Sequence, residues 1–196
     1  METSDKHQAI LQAAGKIFGT KGYHATKVEE IAEAAGVGKG TVYLYFKDKN
    51  NLLLEVTRFH FRTYIELIEQ EMDKHDSARD KLRAYVHSHM SHFPELIKFN
   101  KLNFEHLLKQ RAKEETGDRN LGEYHQTFFR MIEELVRYGI ERGEFQPVDA
   151  THGAMMIWGT LHAYVMRVMF SDLATDELTP QKADALIDLI LNGLGS

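Results

Sequence analysis

The 196-residue sequence contains no cysteine. That excludes disulfide frameworks, thiolate zinc sites and cysteine nucleophiles together. Long hydrophobic runs are missing as well. The most apolar stretch, 154–170, is broken by His162 and Arg167. It falls short of the ~20 apolar residues that cross a bilayer, so it is read as a buried helix and no membrane partner is expected. Residues 1–8 carry Glu2, Asp5 and Lys6 where a secretion signal needs apolar residues, and the expected compartment is the cytoplasm. Positive charge is in deficit too, with 24 Lys and Arg against 29 Asp and Glu. A chain of that balance is a poor polyanion binder as a whole.

The deficit is uneven. Residues 1–50 hold seven lysines and six acids, whereas the remainder holds 17 basic and 23 acidic residues. Any nucleic-acid site therefore belongs to the N-terminal fifty residues. The length suits a small domain carried on a larger one, and we place the division at 1–50 and 51–196.

Apolar residues recur at helical spacing throughout, and no strand pattern occurs, so the expected class is all-α. Ile10, Leu11, Ala14, Ile17 and Phe18 form one stripe, with Ser4 or Asp5 as N-cap and Gly22 as its end. Thr26-Lys27-Val28-Glu29 has the form of a capping box opening a short second helix. That helix stops at Gly36, which can take a left-handed turn, and a third begins two residues later. Two short helices joined by a tight glycine turn make a helix-turn-helix, whose second helix enters the major groove of DNA. A fourth helix, capped by Asp48, runs without Pro or Gly to about Lys74. His75-Asp76-Ser77 reads as a turn and cap, and Pro94 ends or restarts the helix that follows. Gly117-Asp118 marks a break, the next helix stops at Gly143, Gln146-Pro147-Val148-Asp149 reads as a loop and cap, and Ala150–Phe170 and Gln181–Leu194 complete the chain.

Gly22-Tyr23, Thr26, Ile31-Ala32, Ala35-Gly36-Val37 and the run Gly40-Thr41-Val42-Tyr43-Leu44-Tyr45-Phe46-Lys47-Asp48-Lys49 resemble the DNA-binding domain of TetR-family repressors. The resemblance covers about residues 5–55. It implies an all-helical homodimer in which this N-terminal domain binds a double-stranded operator and a variable C-terminal domain binds a small effector. It implies base-facing positions at Gly38, Lys39, Thr41 and Tyr43, and phosphate positions at Tyr45 and Lys49. Thr26 and Lys27, at a helix start where a backbone would pass, join the phosphate set.

Beyond residue 55 the side chains argue for themselves. Tyr85, His89, Phe93 and Phe104, with Phe128, Trp158 and His162, are candidates to line an effector cavity for an apolar or amphipathic ligand such as a fatty-acyl derivative. Arg130, Arg167 or a histidine could meet an acidic head group. Helix 150–170 is apolar around most of its circumference, more than one intramolecular face uses. That surplus suggests a four-helix dimer interface with helix 181–194, for which Val165, Met169, Ile187 and Ile190 are candidates. The eleven histidines raise the alternative of a small helical His-dependent metalloenzyme. His89 and His92 share a face but His87 lies nearly opposite, and neither a His-Glu-x-x-His spacing nor an ordered acid, base and nucleophile set is present. The sequence therefore supports no catalytic residue, metal ligand or cofactor.

Overall fold

The computed structural model describes residues 3–113, 119–170 and 180–194. They form α1 (Thr3–Ala25), α2 (Val28–Ala34), α3 (Lys39–Tyr45), α4 (Lys49–Met72), α5 (Ala78–Lys113), α6 (Arg119–Glu141), α7 (Ala150–Phe170) and α8 (Pro180–Leu194). Two compact units result, one from Met1–Thr63 with Glu95–Leu121, the other from Tyr64–Pro94 with Gly122–Ser196. Helices α4 and α5 each contribute residues to both.

The first unit closes around Ile10, Ala14, Phe18, Ile31, Val42, Phe46, Leu52 and Val56, all at most 1% exposed. Phe99 from α5 joins this core. The expected stripe on α1 is thus the buried one. The helix begins at Thr3, ahead of the Ser4 or Asp5 cap read from the sequence. At Gly22 it breaks, with φ 72° and ψ 170°.

Helix α2 ends in a Schellman turn: Val37 N donates to Ala32 O at 2.9 Å and Gly36 N to Glu33 O at 3.0 Å. Gly36 sits at φ 66°, a conformation that only glycine adopts without strain. Helix α6 repeats the device, with Glu144 N to Gly139 O at 2.8 Å, Gly143 N to Ile140 O at 3.0 Å, and Gly143 at φ 69°. Three side-chain caps match the sequence reading. Asp48 Oδ1 accepts from Asn51 N at 2.7 Å, Ser77 Oγ from Asp80 N at 3.0 Å, and Asp149 Oδ1 from His152 N at 2.9 Å.

Two expectations are corrected. The capping box is one residue late: the N-cap of α2 is Lys27, whose N–H meets Glu30 Oε2 at 3.4 Å. The Thr26 hydroxyl is unavailable because it donates to Gly22 O at 2.7 Å. Pro94 neither ends nor restarts a helix, since α5 runs through it for 36 residues. Proline lacks an N–H and so forfeits one intrahelical bond there. Buried Met90, Leu96 and Phe99 on either side of it keep the helix in register with its cores. The expected breaks at Gly117-Asp118 and in 171–178 lie outside the described residues.

In the second unit the core is built from Leu82, Tyr85, Val86, Ile132, Val136, Ala154, Ile157, Leu161, Ala183 and Ile187, all at most 2% exposed. The last turns of α6 pack so closely on Phe145 that a Cβ at Gly139 would lie 2.2 Å from its ring. Among the described residues no helix is long and apolar enough to cross a membrane.

Candidate nucleic-acid interface and effector site

Helix α3 has one buried side chain, Val42, and its C-cap Phe46 is buried as well. The opposite surface is therefore free of the fold. Gly38, Lys39, Gly40, Tyr43 and Leu44 are exposed and Thr41 is half-buried. Lys39 is not a loose cation. Its Nζ lies 2.6 Å from Glu29 Oε1 on α2 and 5.8 Å from the centre of the Tyr43 ring. The pairing holds the Glu29 carboxyl below its ordinary range and the Lys39 ammonium above its own. Glu29, Lys39 and Tyr43 thus form one exposed line, a feature that sequence spacing alone does not reveal.

The residues expected to touch phosphate divide. Lys27 is exposed, as such a role requires. Tyr45 is half-buried against His7, ring centres 5.7 Å apart, and His7 also stacks on Phe46 at 5.1 Å. Thr26 is only 2% exposed, with its hydroxyl turned to Gly22. Its side chain is removed from the phosphate set. Lys49 Nζ donates to Thr26 O at 2.8 Å and sits 4.3 Å from the Tyr23 ring centre. Partial burial there lowers its pKa. Lys49 therefore ties α4 to the start of α2, and a phosphate contact would have to displace that bond.

In the second unit the aromatic candidates form a continuous series. Tyr85 stacks on His89 at 6.0 Å, and His89 Nδ1 is hydrogen bonded to the Tyr64 hydroxyl at 2.7 Å. Tyr64 meets Phe128 at 5.4 Å, Phe128 meets Trp158 at 6.3 Å, and Trp158 meets His162 at 6.0 Å and His125 at 4.7 Å. The series runs from buried Tyr85 and His89 to exposed His162 and His125. Burial, reinforced by His162, pushes His89 down to about 4, so its ring is neutral at pH 7. Burial also drives the Tyr85 phenol upward, and among the described residues its hydroxyl has no hydrogen-bond partner. Tyr64 was not among the expected site residues, although it lies on the apolar stripe of α4. The side chains of Phe93 and Phe104 lie outside the described residues.

Of the expected dimer residues, the side chains of Val165 and Met169 lie outside the described residues. Ile187 and Ile190 are buried within the chain itself, at 0% and 3% exposed. They pack in the protomer's own core, so a pairing face on α8 must use other residues. Leu189, 68% exposed, is on α8, and Met155 and Met156 stand exposed on α7. Along the same two helices, Gly159, Thr160, Ala163, Tyr164, Arg167 and Lys182 line an open groove of about 730 Å³.

The histidines that prompted the metal alternative are engaged separately. His87 Nε2 meets Asp184 Oδ1 at 2.8 Å, His92 Nδ1 meets Ser88 O at 3.0 Å, and His106 Nε2 meets Asn50 Oδ1 at 2.8 Å. No group of three potential ligands able to hold a metal occurs among the described residues.

Residues 10–56 match the model of bacterial regulatory proteins of the tetR family, and residues 58–193 match that of the YsiA-like protein C-terminal region. The chain belongs to the TetR family of transcriptional regulators. It is a ligand-responsive, DNA-binding regulator that forms dimers. The chain is 26% identical over 190 residues to the fatty acid metabolism regulator protein of Bacillus subtilis, covering 96% of this chain and 95% of that protein. A putative TetR-family transcriptional regulator from Mesorhizobium loti superposes with a TM-score of 0.79 at 25% identity, over all of both chains. The Bacillus subtilis regulator FadR, solved in complex with stearoyl-CoA, superposes with a TM-score of 0.72 at 26% identity, over 95% of this chain and 98% of that one.

Proposed function

We propose that this regulator is a cytoplasmic repressor that holds a palindromic operator until a long-chain acyl-CoA binds its second unit, and that it acts by binding alone, without catalysis. The observation that carries the effector assignment is the ring series from Tyr85 to His162. It is a line of ring contacts whose buried end holds the Tyr85 hydroxyl, a donor with no hydrogen-bond partner among the described residues. An orphaned buried hydroxyl costs about 1–3 kcal/mol, which a ligand acceptor would recover. A thioester carbonyl is such an acceptor, and the stearoyl-CoA held by FadR supports this ligand class. The pocket residues are Tyr64, Tyr85, His89, Phe128, Trp158 and His162.

For DNA, the reading residues are Lys39, Thr41 and Tyr43 beside the bare backbone of Gly38 and Gly40, with Lys27 and Tyr45 toward phosphate. The division of labour falls near residue 50, and the dimer face consists of the exposed apolar residues of α7 and α8. The test is a duplex selected by the purified protein from a random library, then titrated with and without stearoyl-CoA. A two-fold symmetric site released by the thioester supports the proposal. An asymmetric site, or a duplex held equally well with and without stearoyl-CoA, refutes it.

A further inference from the structure

The reading helix has a direction set by its buried side. At about 100° per residue, Gly40 and Leu44 each fall about 160° from Val42, on opposite sides of the point facing directly away from the core. Lys39 and Tyr43 occupy one flank, Thr41 and Tyr45 the other. The crest of α3 is therefore a glycine followed one turn later by a leucine. Leu44 is 83% exposed, the largest exposure of any apolar side chain named on this surface, against 45% for Tyr43. A single exposed leucine usually needs no explanation. This one stands at the centre of the surface that must enter the groove, and it contributes almost nothing to the protomer's own packing.

We propose that Leu44 is a specificity-determining residue that reads the 5-methyl group of a thymine in the major groove. The inference rests on the DNA-binding role of α3. In the major groove every base edge presents hydrogen-bond donors or acceptors, and thymine alone adds an apolar methyl. Pressing a leucine on polar edges strips water from them without replacing the lost hydrogen bonds, so Leu44 disfavours the other bases at its position. Gly40 makes the contact reachable. A Cβ there would meet nothing within 4 Å in the free protein, so the fold does not require glycine for space. Its bareness lowers the crest and brings Leu44 down to the base edge. Lys39 and Thr41 on the two flanks are left to read hydrogen-bonding edges at neighbouring positions.

The experiment is a deoxyuridine scan of a duplex selected by the full-length dimer, each thymine of one half-site being replaced in turn, with wild type, Leu44→Ala and Leu44→Met. Deoxyuridine removes only the methyl. One thymine should weaken wild-type binding about fourfold on replacement, the factor for losing one buried methyl-sized group. Leu44→Ala should bind the thymine and uracil forms of that site equally, and Leu44→Met should restore the preference. If no thymine is sensitive in wild type, or the sensitivity persists in Leu44→Ala, the inference is overturned while the DNA-binding role stands. If no duplex can be selected, the DNA-binding role itself fails and the inference with it.

Discussion

At the scale of single residues, stability and binding depend on which partner each polar group has found. His89 is held neutral because charging it would place a proton in a buried ring stack. Between about 4 and the ordinary 6.5 the unfolded chain therefore binds more protons than the folded one. The stability contributed by a neutral His89 is complete above about pH 6.5 and is lost as pH falls toward 4, amounting to about 3 kcal/mol. His60, also lowered by burial, acts with the same sign. The His89 ring resonances should still report the neutral form at pH 5.5; a midpoint near 6.5 would contradict the buried stack.

Tyr85→Phe separates stability from function at the same site. Removing an unsatisfied hydroxyl should raise the melting temperature of the ligand-free protein or leave it unchanged, and should weaken stearoyl-CoA. Unaltered ligand affinity would remove Tyr85 from the effector site. In the head, Lys27→Ala should reduce the salt dependence of operator binding, whereas Lys49→Ala should lower the melting temperature by breaking the bond to Thr26 O. A reduced salt slope with unchanged stability in Lys49→Ala would return that residue to the phosphate set.

At the scale of elements, the two Schellman turns allow a comparison. Gly36→Ala meets no atom within 4 Å but must adopt φ 66°, so only backbone strain opposes it, about 1–2 kcal/mol. Gly139→Ala keeps a helical backbone but drives a methyl into the Phe145 ring, costing about 1–3 kcal/mol in displaced packing. Denaturant melts of the two variants check both figures, and Phe145→Ala should rescue only the second. Elements of this kind are the most legible in sequence. Gly36, Gly143, Asp48, Ser77 and Asp149 act through bonds to near neighbours, so their roles follow from spacing. Pro94 misleads because the penalty for one missing bond is local, whereas the burial that outweighs it comes from residues distant in sequence. Thr26 misleads for a different reason, since two local bonds compete and a hydroxyl that can cap α2 can also turn back to Gly22, four residues earlier.

At the scale of the whole molecule, the sequence reading gives an all-α regulator with an N-terminal reading head but mistakes part of its pairing face. Periodicity shows that Ile187, Leu189 and Ile190 lie on an apolar helix without showing which of them the protomer has already covered. Exposure separates them, and mutation can too. Leu189→Asp should leave the fold intact and convert the dimer to monomer in sedimentation, whereas Ile187→Asp should unfold the protomer by burying an unpaired charge. A Leu189→Asp protein that remains dimeric would move the interface elsewhere.

The central claim is that one protein couples an operator to an acyl ligand. Helices α4 and α5 supply residues to both units, so a rearrangement in the ligand-binding unit has continuous backbone leading into the reading head. A ligand shifts operator affinity only through its differential affinity for the two states, typically about 5–150-fold. Linkage makes the effect reciprocal. The most direct measurement is the affinity of stearoyl-CoA for the dimer, free and saturated with its selected operator. Operator should weaken stearoyl-CoA binding by the same factor by which stearoyl-CoA weakens operator binding. Equal affinity in the two titrations would contradict it.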